Sequence, residues 1–134
     1  MFLSGALGSA HKLKLINNFL SIGCSLVVTE AILAARTTGV DVRLLHQLAS
    51  LGGANSGALQ QIAPWVLDGQ MNFRFAIRNA KKDIDYFAAM SGSEGTVGQA
   101  ISAILDDTVG AGQGDLFMPQ LIDLLSDKLT PFRT

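Results

Sequence analysis

The chain has 134 residues, 49% of them apolar and 16% charged, with a net charge of −1 and one cysteine, Cys24. That length suits one domain with a proper core, while the balanced charge without a basic block argues against nucleic-acid binding. One cysteine excludes a disulfide framework or a cysteine-built metal set, so a reducing, cytoplasmic setting is the expectation. So little charge on a small surface predicts that a partner or a second domain covers part of it.

The periodicity is helical throughout, and no alternating strand pattern is present. The first helix is predicted from Ser9, as N-cap, to Thr37, with Gly39 as its stop. Asp41 then caps a second helix, Val42 to Leu51, with Leu44, Leu45 and Leu48 expected to face the core. Gly52 to Gly57 reads as a loop before a short helix from Ala58 to Ile62, and Pro64 opens another short helix through Trp65, Val66 and Leu67. Asp68-Gly69-Gln70 is a turn. Asn72 caps a long helix predicted over Phe73 to Met90, Ser91 to Gly95 breaks the chain, and Thr96 caps a helix to Val109. Gly110 to Gly114 turns into a closing helix over Phe117 to Leu129, with Pro119 in its first turn. The expectation is a single all-α domain over residues 1–134, built around one long N-terminal helix.

That first helix carries the most information. His11, Lys14, Asn18, Ser21 and Ser25 recur every three or four residues and form one polar stripe. The rest is mostly Leu13, Leu15, Ile16, Phe19, Leu20, Ile22, Leu26, Val27 and Val28. A broad charged face is missing, so the pattern predicts a helix buried nearly all round, with its stripe lining a cleft. The run from Phe19 to Ala35 is long and apolar. Glu30 and the small residues Gly23, Cys24 and Ser25 favour a buried helix over a membrane span there, and no basic leader precedes it.

The glycine turn Gly5-Ala6-Leu7-Gly8, followed by Lys14-Leu15-Ile16-Asn17-Asn18, resembles the catalytic helix of the β-hydroxyacid dehydrogenases, the 3-hydroxyisobutyrate dehydrogenase family. More distantly it is similar to 6-phosphogluconate dehydrogenase. The likeness continues through Thr29-Glu30-Ala31, Gly39-Val40-Asp41, the segment from Phe75 to Lys82-Asp83, and Gly112-Gln113-Gly114-Asp115. It covers essentially the whole chain, but only the family's C-terminal helical domain, which closes over the substrate and mediates dimerisation.

The resemblance implies that Lys14 is the general acid/base of an NAD(P)-dependent enzyme oxidising a small 3-hydroxy acid, or reducing the matching semialdehyde. Asn18, one turn on along the same face, is implied as its catalytic and substrate-binding neighbour; its amide both donates and accepts. Lys82 and Phe75 are implied as cofactor contacts and Asp83 as a substrate-side group. Phe75, Asn79, Lys82 and Tyr86 are predicted to share one helix face. A lysine in water is too basic to serve near neutrality, and desolvation is what lowers it, so Lys14 is expected in an apolar setting.

The sequence departs from the family at Ala10, where a third glycine is common. No strand–glycine-loop–helix fingerprint for a dinucleotide is present. NAD or NADP is therefore expected to bind mainly to a Rossmann domain of the same polypeptide, and the chain alone is expected to be inactive. The partners implied are that domain, a 3-hydroxy acid and a second copy of the chain, with no nucleic acid and no membrane. The alternative is a stand-alone helical dimerisation module without activity.

The remaining residues have plain readings. His11 and His46 lack a ligand cluster, so no metal is expected. Cys24 reads as a small buried apolar residue. Asp106, Asp107, Asp123 and Asp127 read as solvated helix faces, and Trp65 as core or interface packing.

Overall fold

The computed structural model describes residues 7–92 and 95–126. Expectations for the glycine turn at Gly5, for Ser93-Glu94 and for residues 127–129 fall outside that range. Six α-helices run in order: α1 (Leu7–Thr38), α2 (Val42–Ser50), α3 (Gly57–Asp68), α4 (Ile77–Ser91), α5 (Thr96–Gly110) and α6 (Leu121–Ser126), the last preceded by a 3₁₀ turn, Met118–Gln120. No β-strand occurs among the described residues. The all-α expectation holds.

Local chemistry explains most of the ends. Gly39 lies in the left-handed region at φ 79°, where a side chain would be strained, and Val40 N–H returns to the Ala35 carbonyl at 2.8 Å. Asp41 caps α2 by accepting from Arg43 N–H at 2.9 Å, as expected for an N-cap carboxylate. Ser56 does the same for α3 through Leu59 N–H at 3.0 Å.

Four expectations are corrected. Pro64 lies inside α3, so one helix replaces the two short ones; burial of Ala58, Leu59, Ile62 and Ala63 along its face outweighs the backbone bond that proline removes. The long fourth helix starts at Ile77, because the carbonyl of Phe75 accepts from Met118 N–H at 2.9 Å and Asn72 caps nothing in that register. Gly95, not Thr96, occupies the cap position of α5. On α2, Leu44 and Leu48 are exposed, while His46 is turned to Gln60 at 3.0 Å and Ser50 accepts from the same Gln60 amide at 2.9 Å. Its hydrogen-bonding side meets α3, and of the three leucines only Leu45 is half-buried.

The chain packs as two compact units. The first takes α1 up to Gly23 together with Ala76–Asp115. Its buried side chains include Leu15, Ile22, Ile77, Ala80, Ile84, Ile101 and Leu105. Phe19 stacks on Phe87 with ring centroids 4.2 Å apart, and a methyl at Gly23 would approach Ile101 to 3.3 Å, so a larger residue there would make the Ile101 side chain shift.

The second unit takes Cys24–Phe75 and the chain from Leu116 onward. Its core is Ile32, Leu33, Ile62 and Ile122, flanked by Val28, Val42, Val66, Phe73 and Leu125. The Trp65 indole N–H donates to Asp123 at 2.9 Å, and Arg74 lies over the Phe117 ring at 5.9 Å.

The α1 helix is not buried all round. Leu15, Ile22, Leu26, Ile32, Leu33 and Ala35 make its buried side, whereas Leu13, Ile16, Leu20 and Val27 are exposed. Cys24, expected inside, is exposed as well. By length and composition this helix is long and apolar enough to cross a membrane; its buried side belongs to the protein core.

Candidate functional site

Helix α1 places Lys14 and Asn18 four residues apart, about 6 Å along the axis and on one side. The Asn18 amide Nδ2 donates to Asp83 Oδ2 at 2.9 Å, partly buried. Because Asp83 is four residues before Phe87, the same face of α4 that receives Asn18 also stacks a ring on Phe19 one turn further on. Two contacts thus fix the register of α1 against α4 within the first unit. The bond to a carboxylate fixes which end of the Asn18 amide is the nitrogen and which the carbonyl oxygen.

Lys14 is exposed. The desolvation expected from an apolar helix is not supplied by the described residues. The polar stripe is graded instead: His11 and Lys14 lie in the open, Asn18 and Ser21 are half-buried, and Ser25 is fully buried.

Lys82 is exposed on α4, and its ammonium lies 6.0 Å from the Tyr86 ring. With Arg78, Lys81, Asp85, Tyr86 and Val109 it lines an open cleft of about 410 Å³. Neither Lys14 nor Asn18 nor Asp83 lines this cleft. Lys81 is already engaged, 2.7 Å from Asp85 and 3.2 Å from Asp106. The hydrogen bond to Asp85, then that to Asp106, raises its pKa above the ordinary value of 10.5. Arg78 pairs with Asp115, and the Arg78 backbone N–H donates to the Gly114 carbonyl at 2.9 Å. A methyl on Gly114 would meet the Arg78 side chain at 3.3 Å, which explains the glycine in the Gly112-Gln113-Gly114-Asp115 turn.

Phe75 does not share a face with Lys82 and Tyr86, because it precedes α4. It belongs to the second unit, where its ring lies 5.7 Å from that of Phe73. Asp83 meets Asn18. The Lys81–Asp85 pair reads in sequence as a solvated helix face, and the Lys81–Asp106 and Asn18–Asp83 contacts join different helices, so neither helix's own period specifies them. Among the described residues no cluster of three or more metal-ligating side chains occurs.

Comparison with known proteins gives this helical domain its family. A family model described as "NAD-binding of NADP-dependent 3-hydroxyisobutyrate dehydrogenase" matches residues 8–125. The chain therefore belongs to the 3-hydroxyisobutyrate dehydrogenase family, the β-hydroxyacid dehydrogenases, whose members use NAD(P). The crystal structure of 3-hydroxyisobutyrate dehydrogenase from Salmonella typhimurium superposes with a TM-score of 0.73 at 17% identity, over 84% of this chain and 40% of that one. That likeness shows the fold, and the chain corresponds to less than half of the larger protein's length. A search of curated proteins finds no match.

Proposed function

We propose that the chain is the substrate-side helical domain of an NAD(P)-dependent dehydrogenase that oxidises a small 3-hydroxy acid or reduces the matching semialdehyde. The observation that carries this reading is the Asn18–Asp83 hydrogen bond at 2.9 Å, which holds an amide one turn from Lys14 and fixes which end of it carries the acceptor oxygen. In oxidation, neutral Lys14 Nζ takes the substrate hydroxyl proton as hydride leaves the same carbon; in reduction the ammonium returns it. Asn18 orients the reacting oxygen, and Asp83 holds Asn18. A nicotinamide, when bound, would supply the hydride acceptor or donor. Lys82 and Tyr86 fit an anionic, flat group at the domain's edge, but the described residues contain no glycine cradle for a pyrophosphate. Most of the cofactor's contacts, and the desolvation of Lys14, then fall to a Rossmann domain of the complete protein. Self-association through this helical domain belongs to the same reading.

The test is turnover of a panel of 3-hydroxy acids by the complete protein with NAD or NADP, comparing wild type with Lys14→Ala. Near-wild-type rates in the variant would sink the acid/base role. A second reading, a helical association module without activity, is favoured by the exposed apolar side chains of α1 and α2. It gains if the complete protein contains no glycine-fingerprint domain and turns over nothing in the panel.

A further inference from the structure

Arg78, Lys81 and Lys82 are the cations that line the cleft on α4, and they are not in the same state. Arg78 pairs with Asp115. Lys81 lies 2.7 Å from Asp85 and 3.2 Å from Asp106. Lys82 has no carboxylate partner among the described residues; its ammonium stands 6.0 Å from the Tyr86 ring. All of these residues belong to the first unit.

Helix geometry alone would not leave Lys82 unpaired. Asp85 follows Lys82 by three residues and Lys81 by four, and both spacings bring side chains together on a helix surface. One carboxylate is thus within reach of two ammonium groups. Lys81 holds it because Asp106 holds Lys81: a single nitrogen bridges an acid of its own helix and an acid of α5. Asp83, the chain neighbour of Lys82, is turned to α1, where it accepts from Asn18 at 2.9 Å. Both acids that could neutralise Lys82 are engaged elsewhere.

Removing the Lys81 charge would undo this arrangement. Asp85 and Asp106, at 2.7 and 3.2 Å from the same nitrogen, would lose the cation between them and repel each other. The cation that α4 then offers Asp85 is Lys82.

We propose that Lys81 is a positioning residue for Lys82: by holding Asp85 against α5 it leaves the Lys82 ammonium, beside the Tyr86 ring, for the anionic group of an incoming ligand. The inference rests on the proposed function, in which Lys82 meets the negatively charged part of NAD or NADP. Lys81 acts through Asp85 and needs no contact with that ligand.

The test measures binding of NAD and of NADP to the complete protein by calorimetry, without substrate, alongside kcat and KM. Lys81→Met is expected to weaken binding of the cofactor by roughly twofold to fivefold, the scale of one exposed ion pair. KM for the cofactor should rise by the same factor, with kcat little changed. Lys81→Arg, which keeps both carboxylates engaged, should bind as wild type does. Two double variants of equal net charge separate this mechanism from the mere loss of a positive charge. Lys81→Met with Asp85→Asn removes the competing carboxylate and is expected to restore wild-type affinity. Lys81→Met with Asp106→Asn leaves Asp85 to capture Lys82 and should stay weak. A crystal structure of Lys81→Met is expected to bring Lys82 Nζ within about 4 Å of Asp85.

Equal recovery in the two double variants would overturn the role of Lys81 and leave the Lys82 contact standing. So would unchanged binding in Lys81→Met where Lys82→Ala binds weakly. Unchanged binding in Lys82→Ala would overturn the contact itself, and the proposal with it. If Lys81→Met does not fold, Lys81→Gln replaces it in every arm.

Discussion

Asn18 and Asp83, 65 residues apart in sequence, are joined by an amide-to-carboxylate hydrogen bond of 2.9 Å. The bond selects one face of the Asn18 amide, because the carboxylate accepts only from its N–H₂. In the proposed function, Asp83 would thereby act on whatever Asn18 binds without having to touch it.

Replacing Asp83 by alanine in the complete protein is expected to lower kcat by roughly tenfold to a hundredfold, the scale on which misplacing a positioned group acts. Asp83→Asn keeps an acceptor oxygen and should recover part of the rate. Helix content should not change in either. An unchanged kcat in Asp83→Ala would separate Asp83 from the chemistry.

The Lys81 ion pairs have a defined pH signature. Asp85 first, then Asp106, favours the charged ammonium and raises its pKa in the folded state. A group raised on folding contributes stability at pH below its unfolded value, and that contribution disappears as pH climbs through the folded one. Wild type should therefore exceed Lys81→Met in urea stability at neutral pH, with the gap closing only above the ordinary lysine value of 10.5. The side chains are substantially exposed, so the gap is expected to be small and reduced by salt. A gap that widens in strong alkali would contradict the assignment.

Two aliphatic residues of the second unit should behave oppositely. Ile62 is fully buried, and Ile62→Ala is expected to cost about 3–4 kcal/mol by urea unfolding. Leu44 is exposed on α2, so Leu44→Ala should fall within about 0.5 kcal/mol of wild type. Similar costs at the two positions would mean that α2 does not turn Leu44 outward.

The contrast at Leu44 also shows where sequence reasoning ran out. The helical period, the Asp41 cap and the Gly39 stop were legible because each depends on chemistry within a few residues. Which side of α2 meets α3 was not, because it depends on Gln60, which bonds both His46 and Ser50. Pro64 misled for the same reason: the local rule breaks a helix, and the buried face of α3 overrides it. Lys14 and Asn18 could be singled out by their spacing and family likeness. The link from Asn18 to Asp83 could not, since nothing in either helix's own period specifies its register against the other. Phe75 was carried onto a helix face by spacing alone, whereas a backbone bond to Met118 keeps it off α4.

Neither compact unit is a continuous stretch of chain: α1 up to Gly23 needs Ala76–Asp115, and Cys24–Phe75 needs the segment from Leu116 onward. No pair of ends can excise one of them whole. A single cut in the segment joining α3 to α4 would leave two pieces, each holding an unfinished half of both cores. Such pieces stay together for the reason that complementary fragments do, because each covers apolar surface the other exposes. Folding in turn must close long loops before either core is complete, so the units are expected to form together rather than one after the other.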